Sequence, residues 1–297
     1  MTGSKIKDSA GYRIFSIFNY LFLTFIAVVT LYPIYYVVMA SFSNADALSL
    51  HSGILIRPLA PYSLEAYKRV FQNALIMSGY KNTIIILLAG LCFNLVLTAV
   101  GAYFLSLKDV MFRNVIAVLI LFTMYFSGGT VPVYLNIKSL NLMNSLWSLI
   151  LPAAINTYNL LIMRSAFAAV PDSLVEAARL DGATHFKILK DVMIPLCKAT
   201  LAVMVLYYGV AHWNAWFNAS LYLQTADKFP LQLILRNLLI DNSTSGMTGV
   251  MDADDAVRFA EMIKYALIVV SSAPIIILYP FLQRFFTKGV MIGAVKG

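Results

Sequence analysis

The chain has 297 residues, of which 60% are hydrophobic and only 12% are charged, whereas soluble domains have about 25% charged residues. This composition excludes an ordinary soluble domain and indicates an all-α protein with several membrane-spanning helices. The net charge of +8 would suggest nucleic-acid binding in a soluble protein. Here the basic residues lie mostly at the ends of apolar runs, so we expect a lipid environment and no nucleic-acid partner.

Six apolar runs are long enough to cross a bilayer, whose core takes about 20 residues of helix. The first run is longer than the core of a signal peptide, so we expect it to be retained as a membrane helix. Gly128 and Gly129, followed by Pro132, predict a break in the third run. The six predicted membrane helices are 14–39, 83–107, 115–135, 146–163, 201–223 and 265–282.

The distribution of Lys and Arg predicts the orientation of these helices. More of the 22 basic residues fall on the inner side when the N-terminus is placed there, and the acidic residues are more numerous outside. Both termini and segment 164–199 are therefore expected in the cytoplasm. We interpret 1–297 as one transmembrane domain with external loops at about 43–81 and 224–263. These loops are either solvated connections or a platform for an external partner.

Segment 164–199 is a polar island between two apolar runs. Pro171 ends the preceding helix, and Ser173 with Glu176 has the S-x-x-E spacing of a capping box, in which each side chain satisfies a free backbone N–H. This spacing predicts a short helix over about 174–180.

A second short helix is predicted after a corner in the same island. Gly182 can form a left-handed C-terminal cap without a Cβ penalty, and Thr184 can cap the next helix. Pro195 interrupts the backbone hydrogen bonds as the next apolar run begins. The apolar face of this second helix is predicted to consist of Phe186, Leu189 and Met193.

The predicted membrane helices contain little reactive chemistry. Runs two to six have no Asp, Glu, Lys or Arg, the usual carriers of proton or ion coupling. No motif for metal hydrolysis, acyl transfer or nucleotide binding is present, and Cys92 and Cys197 belong to no metal or disulfide pattern. We therefore expect no enzyme activity and no cofactor in this chain, and segment 164–199 is the best-formed place for energy to enter from outside the membrane.

Uncharged polar and aromatic residues inside the runs suit a neutral, hydroxyl-rich solute, because amides donate and accept hydrogen bonds and aromatic faces cover apolar ring surfaces. Helix packing is the alternative at each position, since Asn joins membrane helices and Trp and Tyr mark interfaces. The W-N-x-W-x-N cluster of the fifth run is the strongest candidate. The candidate pathway residues are Asn94, Tyr125, Asn156, Tyr158, Asn159, Trp213, Asn214, Trp216 and Asn218.

The island carries a specific resemblance. Its residues 176–178 (EAA), 181–183 (DGA) and 194–195 (IP) resemble the EAA loop of permease subunits in binding-protein-dependent ABC importers. Ile194 replaces the usual Leu, and Ala199 stands where a further Pro is common. In that family the loop is a coupling helix that docks on the ATP-hydrolysing subunit. The resemblance implies ATPase contacts for Glu176, Ala177, Ala178, Asp181 and Gly182, although capping alone would also explain Glu176.

The resemblance extends along nearly the whole chain. The ending 283–297 looks like that of the maltose-type (MalG-like) sugar permeases. Segments 126–135, 144–152 and 228–239 look like a branch of that family linked to oligosaccharides released from polysaccharides, acidic ones such as alginate among them. The resemblance implies the six-helix fold of ABC type I importer permeases.

The same resemblance implies the partners and the mechanism. They are a homologous second permease, two subunits that bind ATP and Mg, and an external solute-binding protein, all at the bacterial cytoplasmic (inner) membrane. Substrate would move by alternating access. A channel or facilitator that needs no ATP is the alternative, and an intramembrane enzyme is a distant third because its catalytic residues are missing.

Overall fold

A computed structural model describes residues 9–240 and 263–280, and these contain helices and irregular segments but no β-strand. The all-α prediction is confirmed for this part of the chain. The sequence ending at 283–297 and the acidic part of the loop at 224–263 lie outside the described residues. The α-helices are α1 (Ala10–Ser41), α2 (Ala45–Ser49), α3 (Glu65–Gln72), α4 (Ala74–Ser106), α5 (Arg113–Tyr125), α6 (Thr130–Ser139), α7 (Trp147–Ile150), α8 (Thr157–Ala168), α9 (Asp172–Leu180), α10 (His185–Ile188), α11 (Ile194–Leu196), α12 (Lys198–Trp213), α13 (Phe217–Tyr222), α14 (Leu231–Ile240) and α15 (Ile263–Pro280).

The described residues divide into two units, 9–70 with 263–270 and 71–240 with 271–280. In the first unit, side chains near the end of α1 hold the segments that follow it. The backbone N–H of Leu55 donates to the Tyr32 hydroxyl at 2.9 Å, and the hydroxyls of Ser41 and Tyr67 are 2.7 Å apart. These contacts give the segment after α1 a defined conformation.

Three helices of the described residues, α1, α4 and α15, are long and apolar enough to cross a membrane. The third predicted run is broken as expected: α5 and α6 meet at an angle of 111°, with Gly129 at a φ of +89° between them. Counting this pair as one span gives four candidates.

The fourth and fifth predicted runs are not continuous helices, which corrects the sequence-based expectation. The fourth is divided between α7 and α8 by a non-helical stretch at 151–156 that contains Pro152, a residue without a backbone N–H. The fifth divides at Asn214, whose side-chain amide donates to the carbonyl of Val210 at 3.0 Å. Short polar side chains of this kind compete with helical hydrogen bonding.

The second unit is organised around α4, an unbroken helix of 33 residues that packs against α8, α12 and α14. Near its beginning, the side-chain amide of Asn82 donates to the carbonyls of Asp227 at 2.7 Å and Phe229 at 3.1 Å. Thr83 accepts a hydrogen bond from the backbone of Leu231 at 2.9 Å. These bonds anchor α14 to α4.

Two apolar clusters lie along α4. One includes Ile86 and joins α4 to α6, α7, α13 and α14. The other joins the second half of α4 to α8 and to the segment from α10 to α12. The buried residues of the second cluster are Ala102, Tyr103, Leu105, Ala117, Leu160, Met163, Phe167, Ile188, Leu189, Met193, Cys197, Met204 and Tyr208.

Gly90 of α4 allows α12 to approach closely. A Cβ at this position would lie 2.4 Å from Nε2 of His212, whereas a Cβ at Gly209 would lie 3.9 Å from Leu87 Cδ1, an ordinary contact. Gly90→Ala therefore forces two packed helices apart, at a cost of about 1–3 kcal/mol.

We expect Gly90→Ala to lower the melting temperature of the detergent-solubilised protein by several degrees, as measured by intrinsic fluorescence. Gly209→Ala is the matched control and should leave the melting temperature unchanged or raise it. Equal melting temperatures for the two variants would contradict the close approach of α4 and α12.

Candidate functional site

The first helix of the 164–199 segment, α9, begins at Asp172 with Pro171 as its N-terminal cap residue. The predicted capping box is wrong, because Ser173 lies inside the helix and no side chain caps its first turn. The carboxylate of Asp172 lies in that turn, where negative charge is favourable near the free N–H groups. Glu176 is exposed, so the capping alternative for this residue is removed.

The corner after α9 forms as the sequence predicts. Gly182 has a φ of +75° and donates its N–H to the carbonyl of Arg179 at 3.0 Å. Ala183 donates to the carbonyl of Ala178, also at 3.0 Å. These two bonds are the Schellman motif that commonly ends a helix at glycine.

The second helix also begins as predicted, because the Thr184 hydroxyl accepts the N–H of Lys187 at 3.4 Å. Phe186, however, does not share an apolar face with Leu189 and Met193. Leu189 and Met193 are buried, but Phe186 is 72% exposed. Ile188 takes the buried position instead, and a helical residue two positions before it points to the opposite side.

The 164–199 segment has an inner and an outer surface. Val175, Ala178 and Ala183 pack against the second cluster of α4. On the outer surface Leu180 is 89% exposed, and Phe186 is exposed as well. Of the residues predicted to contact an ATPase, Ala178 packs inward, whereas the other four are exposed: Glu176, Ala177, Asp181 and Gly182.

Two ion pairs join α9 to the two residues that follow the C-terminal cap of α4. Lys108 donates to Asp172 at 2.5 Å, and Arg179 donates to Asp109 at 2.8 Å. The hydrogen bond to Asp109 raises the pKa of Arg179, and the nearby charge of Glu176 contributes a smaller increase. Because all four partners are more than one-third exposed, each pair contributes about 0.2–1 kcal/mol at most.

Two less exposed contacts join the same end of α4 to the segment. The Tyr103 hydroxyl is 3.0 Å from Nδ1 of His185, and Nε of Arg164 donates to the carbonyl of Leu105 at 3.1 Å. The residues of the two ion pairs, together with Arg164 and Leu105, line a polar cleft of about 790 Å³. The end of α4 and the 164–199 segment are therefore connected by both apolar packing and hydrogen bonds.

A second cavity, of about 770 Å³, lies beside the non-helical stretch between α7 and α8. Amide and phenol groups line it together with apolar side chains, so it offers several hydrogen-bond donors and acceptors. The rings of Tyr158 and Tyr207 are 6.4 Å apart at an angle of 35°. The polar residues that line the cavity are Asn156, Tyr158, Asn159, Tyr207, Tyr208, His212 and Asn218.

Four of the nine sequence candidates, Asn156, Tyr158, Asn159 and Asn218, line this cavity. Three polar residues that line the cavity were not among the candidates: Tyr207, Tyr208 and His212. The spacing of four between Tyr208 and His212 was a usable signal, because it places both on one face of α12.

Asn94 lies buried behind the cavity. Its side-chain amide donates to the carbonyls of Ala153 at 2.6 Å and Ala154 at 3.0 Å, and its oxygen is 2.7 Å from Nε2 of His212. These bonds give Asn94 a structural role.

The remaining candidates lie elsewhere. Trp213 is buried and donates through Nε1 to the carbonyl of Ser271 at 3.2 Å. Asn214 is exposed at the end of α12. Trp216 contacts Arg236, whose guanidinium lies 5.4 Å from the ring centroid, and Tyr125 is 81% exposed. None of these four lines the described cavity.

Known proteins resemble this chain over nearly its full length. The polygalacturonan/rhamnogalacturonan transport system permease protein YtcP of Bacillus subtilis is 36% identical, over 96% of this chain and 99% of that protein. The chain belongs to the sugar ABC transporter permease family. Protein LplC of Bacillus subtilis is 38% identical to this chain, over 96% of each of the two chains. No family model matches.

A solved structure also resembles the permease. It is the crystal structure of a bacterial ABC transporter involved in the import of the acidic polysaccharide alginate. One of its chains is 33% identical, with a TM-score of 0.86 over 95% of the permease and 100% of that chain.

The corner at Gly182 leads to a prediction about local stability. Gly182→Ala places a Cβ in a left-handed conformation that costs about 1–2 kcal/mol, so local opening should become about five- to thirtyfold more frequent. We expect hydrogen exchange of the amides at 178–188 to accelerate by about that factor, as measured by mass spectrometry on the permease.

Gly182→Asn is the control, because asparagine tolerates the left-handed region better than alanine. It should show a smaller acceleration. Identical exchange in the glycine and alanine proteins would contradict the Schellman geometry of this corner.

Proposed function

We propose that the permease is one transmembrane subunit of an ATP-driven importer, with six membrane helices and both termini in the cytoplasm of a bacterium. A homologous permease and two ATP-binding subunits, which carry ATP and Mg, complete the transporter in the inner membrane. A solute-binding protein delivers an oligosaccharide from outside. The exposed outer surface of the 164–199 segment is the observation that carries this proposal.

Two large apolar side chains, Leu180 before the Gly182 corner and Phe186 after it, are exposed to solvent. Burying a side chain of this size stabilises a contact by about 1.5–3 kcal/mol. Glu176 and Asp181 of the same segment are also exposed and add negative charge. Such a surface suits the groove of a partner protein, and the resemblance of the EAA segment supports the ATP-binding subunit as that partner.

The contacts of α4 supply a physical route from the ATPase to the substrate pathway. The 164–199 segment is held to the end of α4 by apolar packing and by hydrogen bonds from Arg164 and Tyr103. The same helix packs along α8 and α12, which contribute most of the cavity lining. If the ATPase binds one conformation of the permease better than another, the conformational equilibrium shifts by the difference between the two binding free energies. Alternating access requires such a shift.

The cavity supports the choice of a sugar as substrate. Asn156, Asn159 and Asn218 provide amides, and Tyr158 and Tyr207 provide a pair of partly exposed rings. Hydroxyl groups bind amides, and the apolar faces of sugar rings pack on aromatic side chains. The similarity to an alginate importer and to a polygalacturonan/rhamnogalacturonan permease favours an oligosaccharide derived from an acidic polysaccharide.

The docking surface is tested by Leu180→Asp in the permease co-expressed with its second permease and ATP-binding subunits. A carboxylate in an apolar groove is unfavourable, so co-purification of the ATP-binding subunits should fall at least about tenfold.

Leu50→Asp is the matched control, because Leu50 is 86% exposed and lies in the predicted external loop. It should leave co-purification unchanged. Wild-type permease that never retains an ATP-binding subunit would contradict the importer and favour an ATP-independent facilitator.

A further inference from the structure

The non-helical stretch at 151–156 presents a physical problem. It lies within a predicted membrane span, and backbone polar groups at membrane depth are costly unless they are hydrogen-bonded. Pro152 prevents a regular helix from satisfying them. The structure shows how side chains of α4 and α12 meet this requirement.

The first set of bonds comes from Asn94. Its side-chain amide donates to the carbonyls of Ala153 and Ala154, so its oxygen faces His212. An amide oxygen only accepts hydrogen bonds, and Nε2 of His212 must therefore carry a hydrogen and donate it. This bond fixes the histidine ring at the wall of the cavity.

The second set of bonds lies one turn away. The Tyr208 hydroxyl accepts the backbone N–H of Asn156 at 3.0 Å and is 2.7 Å from the hydroxyl of Thr98. Asn156 in turn caps α8 by accepting the N–H of Asn159 at 3.1 Å. Tyr208 thereby determines where α8 begins and where two amide side chains of the cavity are placed.

The two sets join the same two helices and bind the same stretch. Asn94 and Thr98 are four residues apart on α4, as Tyr208 and His212 are on α12, so each pair lies on one helix face. All four side chains are at most 6% exposed. Buried polar groups with complete partners hold a unique geometry more strongly than apolar packing alone.

We propose that Asn94, Thr98, Tyr208 and His212, the α4–α12 network, hold the stretch at 151–156 unwound and thereby position the sugar-binding side chains of the cavity. The network residues are positioning residues, and Tyr208 acts on substrate through Asn156. This inference rests on the proposed transport of a sugar through the cavity.

The structural part of the proposal is tested with Tyr208→Phe, which removes one hydroxyl and keeps the ring. In the assembled transporter, hydrogen exchange at the Asn156 amide should accelerate about tenfold, because its only hydrogen-bond acceptor among the described residues is lost. Tyr222→Phe is the matched control, since Tyr222 is equally buried, 3% exposed, and does not line the cavity. Its exchange pattern at 152–160 should equal that of the wild type.

The functional part is tested by sugar uptake into vesicles that contain the same transporter. Tyr208→Phe should raise the KM for the transported oligosaccharide at least about fivefold, while the maximal rate of ATP hydrolysis stays within about twofold of the wild type. A purely structural defect would lower both the amount of assembled transporter and the maximal rate. If Tyr208→Phe does not assemble, Thr98→Val removes the neighbouring hydroxyl at nearly constant volume and is measured in the same way.

The outcomes separate this inference from the proposed function. Unchanged exchange at Asn156 would overturn the network as the support of the stretch. Faster exchange with an unchanged KM would overturn its role in positioning sugar contacts. A wild-type transporter that moves no oligosaccharide would contradict the proposed function. The hydrogen-exchange measurement at Asn156 would still test the α4–α12 network in that case.

Discussion

The second unit depends on one physical constraint: backbone groups that are left free where a helix breaks need hydrogen-bond partners. The broken helices lie around α4, which is unbroken. The chain has broken helices at 126–129, 151–156 and 214–216, and α4 passes through the unit without interruption. Polar side chains of α4 bind the carbonyls of Asp227 and Phe229 near one end and those of the 151–156 stretch in the middle. Its far end is bound by the 164–199 segment. One unbroken helix therefore contacts both the proposed docking segment and the stretch that borders the cavity.

The surroundings of α4 explain why the chain combines exposed apolar surface with fully bonded polar groups. Burying Asn94 in a predicted membrane span has a small free-energy cost, because its amide and its oxygen both have hydrogen-bond partners. Exposing the apolar side chains of Leu180 and Phe186 to solvent has a larger free-energy cost. The polar side chain of Asn94 is satisfied within the chain, whereas the exposure of Leu180 and Phe186, which lie outside the predicted membrane spans, is explained by a partner. This division is the basis for interpreting the 164–199 segment as a docking site.

Local features were predictable from the sequence and features of tertiary packing were not. The corner at Gly182 and the cap at Thr184 depend on neighbouring residues only, so their spacing sufficed. The capping box failed because the helix begins after Pro171, two residues earlier than the S-x-x-E pattern requires. The burial of Trp213 and the cavity position of Tyr208 depend on how α12 packs against α4. Nothing in the local sequence specifies that packing.

The central claim is that nucleotide binding by the ATP-binding subunits, which dock on the 164–199 segment, changes the cavity beside α8. A cysteine at Tyr158, in a permease whose Cys92 and Cys197 are replaced, reports this directly when the assembled transporter is labelled with a membrane-impermeant thiol reagent. The account predicts a labelling rate that changes at least about tenfold on adding a non-hydrolysable ATP analogue, and no change when Leu180→Asp removes the ATP-binding subunits. A labelling rate that is the same with and without nucleotide in the complete transporter would contradict it.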